Sequence, residues 1–239
     1  MDIYRLRSLK ETVGLDPYVG RGIIVGTTPS GKPVVAYFIM GRSVNSRNRV
    51  FEMREDGLYT KAFDESKVAD PSLIIYRAAA TCGDNFVVTN GDQTDTIIDA
   101  LKNGGTFESA LSTREFEPDA PNFTPRISAM VTCGAKTTYK MSILKSVDAE
   151  GSDCARFYFN YPAKPGAGHF IHTYVGNGTP LPSFQGEPEL IAIPEDTEAF
   201  AKELWETLDS DNKISLYVKV IGGSAKDTYI FNKNGDGKQ

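Results

Sequence analysis

Three segments of the chain carry the same pattern, in which two β-prone runs are joined by a short turn. In residues 21–43, RGIIVGTTPSGKPVVAYFIMGRS, runs of β-branched and aromatic residues flank a Pro-Ser-Gly turn, which indicates a hairpin. Residues 72–90 and 124–147 repeat the arrangement around Cys-Gly turns, at Cys82 and Cys133. Because a hairpin pairs its strands antiparallel, the chain is expected to build mostly antiparallel sheets.

Helix signals lie between these strand pairs and near the end of the chain. Residues 94–105 place apolar side chains at helical spacing before a Gly-Gly stop, and a second short helix is expected over 106–116. Residues 199–208 have helical apolar spacing with acidic residues upstream, which suits the N-terminal end of a helix. Residues 213–223 and 227–232 are expected to close the chain as strands.

Runs of strands separated by groups of helices favour an α+β fold, with antiparallel sheets that carry helices on their outer faces. No Pro/Ser-rich linker interrupts the sequence, so one domain is expected over residues 1–239. The polar residues 1–20 are expected to pack over its surface.

The composition limits the partners and the compartment. A net charge of -5 over 239 residues argues against a nucleic-acid partner, so a local basic cluster would indicate a specific anion site. The three cysteines lack paired spacing, which favours a reducing compartment without disulfides. The sequence has no signal-peptide pattern and no 18-residue apolar run, so we expect a cytoplasmic protein that does not enter a membrane.

Residues 26–33, GTTPSGKP, come close to a phosphate-binding loop. Pro33 stands where that loop carries the hydroxyl residue that reaches magnesium, and a strand follows in place of a helix. Since no helix N-terminus would face a phosphate, a hairpin turn is the favoured interpretation.

The only two histidines, His169 and His172, lie in the segment GAGHFIHTY. Its aromatic and β-branched residues predict a strand, in which residues three apart point to opposite faces. A metal site shared by the two rings is therefore not expected. A histidine that lines a pocket and one that is hydrogen-bonded at the surface remain equally open.

Arginines are concentrated in residues 41–51, GRSVNSRNRVF, which include Arg42, Arg47 and Arg49. The ordinary interpretation is a solvated basic loop. The alternative is a phosphate clamp, because guanidinium groups match phosphate oxygens in bidentate geometry.

The segment VVTNGDQTDTI, residues 87–97, also has two interpretations. Asn90 and Gly91 suit a turn, and Asp92 can cap the following helix. The same strand-to-helix turn leaves backbone N–H groups and short polar side chains free to hold a small polar molecule. A second polar cluster lies in the proline-rich residues 114–128.

Together these stretches resemble the archaeal-type IMP cyclohydrolase family, which is separate from the bifunctional purine enzyme. The resemblance is carried by GRSVNSR, by IIYRAAATCGDNFVVTNGDQTDTI, by NFTPRISA and by HFIHTYVGNGTPLPSFQGEP. It implies a four-layer αββα sandwich like that of the N-terminal-nucleophile hydrolases. The segment TNGDQTDT would then both end a strand and line the substrate site.

The reaction implied by this resemblance is the last step of purine synthesis. In 5-formamidoimidazole-4-carboxamide ribonucleotide, the carboxamide nitrogen attacks the formyl carbon and water leaves, which gives inosine monophosphate (IMP). Both groups are attached to one imidazole ring, so the enzyme has to hold a reactive conformer, stabilise charge and move protons. No metal or other cofactor is expected. The partner is this purine-precursor nucleotide, and we also expect a homo-oligomer.

The resemblance assigns roles to particular residues. Arg47, Tyr76 and Glu117 are expected to be catalytic, as a guanidinium, a phenol and a proton-handling carboxylate. The residues expected to bind substrate are Arg21, Arg42, Asn90, Asp92, Thr94, Glu115, Asn122, Thr124, Arg126, His172 and Tyr174.

Two other functions fit the same fold. An amide hydrolase would need Cys, Ser or Thr at a processed N-terminus as its nucleophile. Met1-Asp2 provides none of these three residues. A purine-nucleotide binding module would bind without turnover. The presence of Tyr76 and Glu117 beside the arginines favours the enzyme.

Overall fold

The computed structural model describes residues 2, 4–68 and 75–235. The strands in this part of the chain are β1 (Arg21–Thr27), β2 (Pro33–Met40), β3 (Arg49–Arg54), β4 (Gly57–Ala62), β5 (Arg77–Cys82), β6 (Asn85–Thr89), β7 (Arg126–Thr132), β8 (Thr138–Ser146), β9 (Cys154–Pro162), β10 (Ala167–His172), β11 (Glu189–Ala192), β12 (Lys213–Val220) and β13 (Thr228–Asn232). The helices are α1 (Val44–Arg47), α2 (Gln93–Lys102), α3 (Phe107–Leu111) and α4 (Thr197–Thr207).

The strands form two sheets, and in both sheets every pair of neighbouring strands is antiparallel. A six-stranded sheet has the order β11-β10-β1-β2-β12-β13, and a seven-stranded sheet has the order β3-β4-β5-β6-β7-β8-β9. The expected α+β class with mostly antiparallel sheets is confirmed.

The three hairpins predicted from turn signals are present as β1–β2, β5–β6 and β7–β8. Residues 72–74 of the second prediction lie outside the described residues. The near match to a phosphate loop is the β1–β2 turn, where Gly31 N donates to the Thr28 carbonyl at 2.8 Å. Strands β3, β4, β9 and β11 were not predicted from the sequence.

Apolar side chains separate into three clusters. One lies between the sheets and includes Ile23 of β1 and Val88 of β6. A second packs α4 on the six-stranded sheet through Phe200, and a third packs α2 and α3 on the seven-stranded sheet through Phe107. Burial of each such side chain contributes roughly 1.5–3 kcal/mol, so the helices are held on the sheets by their apolar faces.

Residues near the N-terminus belong to the second cluster. Leu9, Val13 and Tyr18 are almost fully buried beside α4 and the six-stranded sheet. The segment does cover the domain as expected, but it does so with apolar side chains that its polar composition concealed.

Local caps define where the helices begin. The Asp196 carboxylate accepts from Ala199 N at 2.9 Å at the start of α4. Thr106 and Ser109 cap each other's backbone N–H groups at the start of α3, and such caps contribute about 1 kcal/mol. Across the described residues, none of the helices is both long and apolar enough to span a membrane.

Candidate active site

The layer between the sheets ends in a group of polar side chains that are shielded from solvent. We call Arg21, Tyr37, Arg49, Tyr76 and Glu117 the buried cluster. Their side chains come from β1, β2, β3, the residue before β5, and the α3–β7 connection. The five residues are spread over positions 21 to 117, so the cluster exists only in the folded chain.

Arg21 enters the cluster because of strand alternation. It lies on the same face of β1 as Ile23, which packs between the sheets. Gly20 precedes it with φ of 78°, and a Cβ at this position would overlap Thr173 and Tyr174. Only glycine therefore fits at position 20, because the backbone is left-handed there and lies close to Thr173 and Tyr174.

Tyr37 and Tyr76 are hydrogen-bonded to each other through their phenol oxygens, which lie 2.7 Å apart. Tyr76 is fixed by Thr60 of β4, whose Oγ1 accepts from Tyr76 N at 2.9 Å. Burial raises the pKa of both phenols, and for Tyr76 the charges of Arg49 and Arg21 oppose that rise. Both tyrosines therefore remain neutral near pH 7 and can donate or relay a proton.

Arg49 is the first residue of β3 and is 1% exposed. It shares a face with Phe51, whose ring lies 5.3 Å from that of Tyr37. Its Nε donates to the Ser46 carbonyl at 2.8 Å, but its buried Nη1 has no hydrogen-bond partner within residues 2, 4–68 and 75–235. Burial and the nearby Arg21 charge lower the pKa of this guanidinium.

Glu117 lies opposite Arg21, with 3.8 Å between Glu117 Oε2 and Arg21 Nη2. Its backbone N donates to the Thr124 carbonyl at 2.9 Å, which places the side chain although it belongs to a loop. Burial raises the pKa of the carboxyl, and the Arg21 and Arg126 charges only partly offset this. A carboxylate whose pKa is raised is a stronger base than an exposed one, which suits it to proton transfer.

A path of polar and aromatic contacts leads from this region to the surface. The Tyr174 hydroxyl lies 2.5 Å from Thr124 Oγ1, and the Tyr18 ring stacks on Tyr174 at 6.1 Å. The exposed Arg42 guanidinium lies 5.0 Å above the Tyr18 ring. Burial raises the pKa of Tyr174 to about 12, so its hydroxyl is neutral.

The Asn-Gly-Asp turn between β6 and α2 is held together by hydrogen bonds. Asn90 Oδ1 accepts from Ile127 N at 2.9 Å, and Thr94 Oγ1 lies 2.8 Å from Thr89 Oγ1. A Cβ at Gly91 would overlap Arg126 Nη1, so a larger residue there would displace the guanidinium. Asn90 and Thr94 are fully buried, so their side chains shape the turn.

Asp92 does not cap α2, contrary to the sequence prediction. It stands at the N-cap position without a side-chain capping bond. Its carboxylate accepts from Arg126 Nη1 at 2.7 Å and from Arg114 Nη2 at 2.5 Å. Although burial acts to raise its pKa, these two arginines hold it below the usual value. Charge-assisted bonds to two guanidiniums are stronger than a bond to a backbone amide, which explains the difference.

Residues 18–225 match the model of a family described as IMP cyclohydrolase-like protein. The chain belongs to the IMP cyclohydrolase-like family. The expectation drawn from GRSVNSR, TNGDQTDT and TPRI is thereby confirmed at the level of the family.

Several curated archaeal relatives carry the name IMP cyclohydrolase. The protein of Methanopyrus kandleri is 31% identical over 162 residues, which cover 62% of this chain and 80% of that protein. The protein of Methanococcus aeolicus is 28% identical over 161 residues, covering 66% and 74%. The protein of Methanococcus maripaludis is 35% identical over 120 residues, and these span 48% of this chain and 58% of the relative.

Some residues that the resemblance to the IMP cyclohydrolase family selected lie outside the buried cluster. Arg47 is exposed, and its Nε donates to the Gly41 carbonyl at 3.0 Å. Glu115 is also exposed, 4.0 Å from Arg156. Asn122 accepts from Leu181 N at 3.1 Å, which ties its loop to the segment after β10.

His172 is engaged in contacts within the protein. Its Nδ1 lies 2.6 Å from the Tyr174 carbonyl, and its ring stacks on Phe170 at 4.7 Å. His169 points to the other face of β10, where its Nδ1 lies 2.6 Å from the Tyr139 hydroxyl. The predicted opposite orientation of the two histidines is confirmed. The residues described by the structure include no group of three or more His, Cys, Asp or Glu placed to hold a metal ion.

Two members of the buried cluster of this IMP cyclohydrolase-like protein, Tyr37 and Arg49, were not given a site role by the resemblance, and Arg49 was named only in the phosphate-clamp alternative. A signal for Arg49 was available, since it stands two residues before Phe51 in the alternating segment that enters the Asp56-Gly57 turn. Tyr37 offered no such signal, because a tyrosine in an apolar strand is ordinarily a core residue.

Proposed function

We propose that this protein is an IMP cyclohydrolase, which closes the purine ring of IMP by dehydrating 5-formamidoimidazole-4-carboxamide ribonucleotide. The observation that carries the proposal is the buried cluster, in which a carboxyl, two hydrogen-bonded phenols and two guanidiniums converge in a member of this family. Ring closure needs these functions, which are proton transfer and stabilisation of a growing negative charge.

The chemistry balances without an added reagent. The carboxamide nitrogen forms a bond to the formyl carbon and loses one proton, and the formyl oxygen gains a proton to give a hydroxyl. The formamido nitrogen then loses its proton as the hydroxyl leaves as water, and a C=N bond forms. The enzyme has to move protons between sites on one substrate and to hold the two groups in contact.

Four residues of the cluster are assigned roles that their surroundings support. The ionised Glu117 accepts the carboxamide proton, since its raised pKa makes it a stronger base than an exposed carboxylate. Tyr76, backed by Tyr37, donates to the formyl oxygen. Arg21, beside Glu117, favours the ionised form of that carboxylate.

The remaining polar residues are proposed to shape and edge the site. The half-exposed Asp92 pairs with the buried Arg126 behind the turn, and Thr124 with Tyr174 leads outward. The exposed guanidiniums of Arg42 and Arg47 are proposed to bind the substrate phosphate at the solvent-facing side of the site, where an anion remains partly hydrated. The buried side chains of Asn90 and Thr94 are proposed to support the turn between β6 and α2, which would line the substrate site.

We further propose that residues 1–239 form one domain with the four-layer αββα arrangement of the N-terminal-nucleophile hydrolases. The apolar cluster between the sheets and the two clusters beneath α4 and beneath α2 and α3 support such layering. A cytoplasmic location and a homo-oligomeric state stay predictions.

Incubation of the purified protein with the formylated ribonucleotide tests the function. We expect IMP to accumulate faster than by spontaneous closure, and at the same rate in the presence of a chelator. Deformylation to the aminoimidazole ribonucleotide would identify an amide hydrolase instead. Tight nucleotide binding with unchanged precursor would identify a binding module.

A further inference from the structure

Arg49 combines burial with an unsatisfied hydrogen-bond donor. The side chain is 1% exposed, and its Nη1 has no partner among the described residues. A buried N–H group left unpaired costs about 1–3 kcal/mol, and more when the group is charged. The native chain tolerates this cost without an evident benefit to stability.

The charges around Arg49 do not compensate it. Arg21 is a second, largely buried cation, and its buried Nε also lacks a partner in the described part of the chain. Glu117 is the carboxyl that faces this pair, and burial raises its pKa. Tyr37 and Tyr76 are neutral phenols whose hydroxyls bond to each other. The buried cluster therefore has more positive charge and more N–H donors than acceptors.

The guanidinium of Arg49 is oriented by backbone that the sequence specifies. Its Nε donates to the carbonyl of Ser46, within α1. Ser43 and Ser46 cap the backbone at the start of this four-residue helix, with Ser46 N donating to Ser43 Oγ at 3.1 Å. Since Nε is fixed in this way and the guanidinium is planar, the orientation of Nη1 is fixed as well.

We infer that Arg49 is a catalytic residue whose Nη1–H donates to the carboxamide oxygen of the purine precursor, the oxygen that becomes the carbonyl of the closed ring. The inference rests on the proposed function. When the carboxamide nitrogen loses its proton to attack the formyl carbon, the negative charge is shared with this oxygen. A fixed cation there stabilises the transition state more than the neutral substrate.

A phosphate group is a poorer partner for this donor. The cluster also holds the carboxyl of Glu117, whose ionised form would repel a phosphate dianion at this depth. A neutral amide oxygen that becomes partly anionic only during the reaction suits a site with one excess positive charge. The exposed Arg42 remains available for the phosphate.

Substitution of Arg49→Met tests the inference, with Arg54→Met as the matched control. Arg54 lies on the same strand, and its side chain is 48% exposed. Arg49→Met should lower kcat by roughly 10²- to 10³-fold with a smaller change in KM, because a donor aimed at developing charge is lost. Its melting temperature should equal or exceed that of the wild type, because an unpaired buried charge is removed. Arg54→Met should change neither quantity.

The pH profile supplies a readout that a structural role would not move. Arg49 acts to lower the pKa of Tyr76, so the alkaline limb of kcat in Arg49→Met should shift to higher pH. Arg49→Lys should recover only part of kcat, because an ammonium cannot keep the bond to Ser46 and reach the substrate together.

Each possible result supports or overturns the catalytic role of Arg49. Arg49→Met that fails to fold or melts well below the wild type would give Arg49 a structural role and overturn the inference. Normal turnover by a folded Arg49→Met would overturn it as well, while leaving the proposed function in place. Absence of IMP formation by the wild-type protein would defeat the proposed function, and this inference with it.

Discussion

The hydroxyl oxygens of Tyr37 and Tyr76 lie 2.7 Å apart although the two residues belong to different sheets. Tyr37 is in β2 of the six-stranded sheet, and Tyr76 directly precedes β5 of the seven-stranded sheet. One phenol has to donate to the other, which leaves a single hydroxyl hydrogen of the pair free for a substrate. The packing of the two sheets against each other therefore brings together the two phenols that form the proton donor.

The first prediction separates the two phenols. Tyr76→Phe should lower kcat by roughly 10²-fold or more with little change in KM, because it removes the hydroxyl that protonates the formyl oxygen. Tyr37→Phe should have a smaller effect, since Tyr76 keeps its own hydroxyl. Tyr139→Phe is the control, because this buried hydroxyl bonds to His169 outside the cluster. Wild-type kcat in Tyr76→Phe would remove Tyr76 from the mechanism.

The second prediction concerns the buried carboxyl of Glu117. Its folded-state pKa is raised by burial, so its protonated form favours the folded protein. That stability is fully present below the unfolded value of 4.5 and is lost as the pH rises through the folded pKa. The melting temperature of Glu117→Gln relative to wild type should therefore increase as the pH rises from about 4.5 toward neutrality.

In the same variant kcat should fall by roughly 10²-fold or more, because glutamine cannot accept the carboxamide proton. The pH dependence of the melting difference separates this role from general damage to the fold. A difference that stays flat from acid to neutral pH would contradict a raised pKa for Glu117.

The sequence predicted those elements that have local signals. Turn residues gave the three hairpins, and apolar spacing gave α2 and α4. The β3–β4 hairpin also had a signal at Asp56-Gly57, but the charged residues around it concealed the alternation. Charge density on an edge strand is common, so it does not by itself indicate a loop.

The buried cluster was only partly accessible from the sequence. Resemblance to a family selected Arg21, Tyr76 and Glu117, which the structure brings together. It also selected Arg47, whereas the structure buries Arg49. Only Asn48 lies between these arginines, and the change from helix to strand at that residue decides which one faces the interior. Such a decision depends on the pairing of β3 with β4, which a short motif does not contain.

The third prediction concerns the ion pairs of Asp92. Its lowered pKa means that it stabilises the fold above the unfolded value of 3.8 and that this stability is lost as the pH falls through the folded value. The stability advantage of wild type over Asp92→Asn, measured by urea unfolding, should thus shrink below about pH 4. The side chain is 51% exposed, so solvent screening keeps the effect modest.

Asp99→Asn is the control for this measurement, since Asp99 is exposed on the same helix. It should show little stability difference at either pH. An Asp92→Asn difference that is constant between neutral pH and pH 3 would argue against the arginine pairing seen here.

The fourth prediction concerns the exposed arginines. If Arg42 and Arg47 bind the phosphate, Arg42→Ala and Arg47→Ala should each raise KM for the nucleotide, by about ten- to a hundredfold for a charge-assisted contact. The same variants should have little effect on the precursor nucleoside, which lacks phosphate. Equal losses for nucleotide and nucleoside would exclude a phosphate contact, and wild-type kinetics would indicate a solvated loop.

The buried cluster is proposed to hold the reacting edge of the substrate, and a crystal structure of the wild-type protein with IMP is the sharpest test of this placement. We expect the six-membered ring to lie against Tyr76 and Glu117, with its carbonyl oxygen within hydrogen-bond distance of Arg49 Nη1. The phosphate should lie toward Arg42. IMP bound elsewhere, with Tyr76, Glu117 and Arg49 free of ligand contacts, would contradict the account.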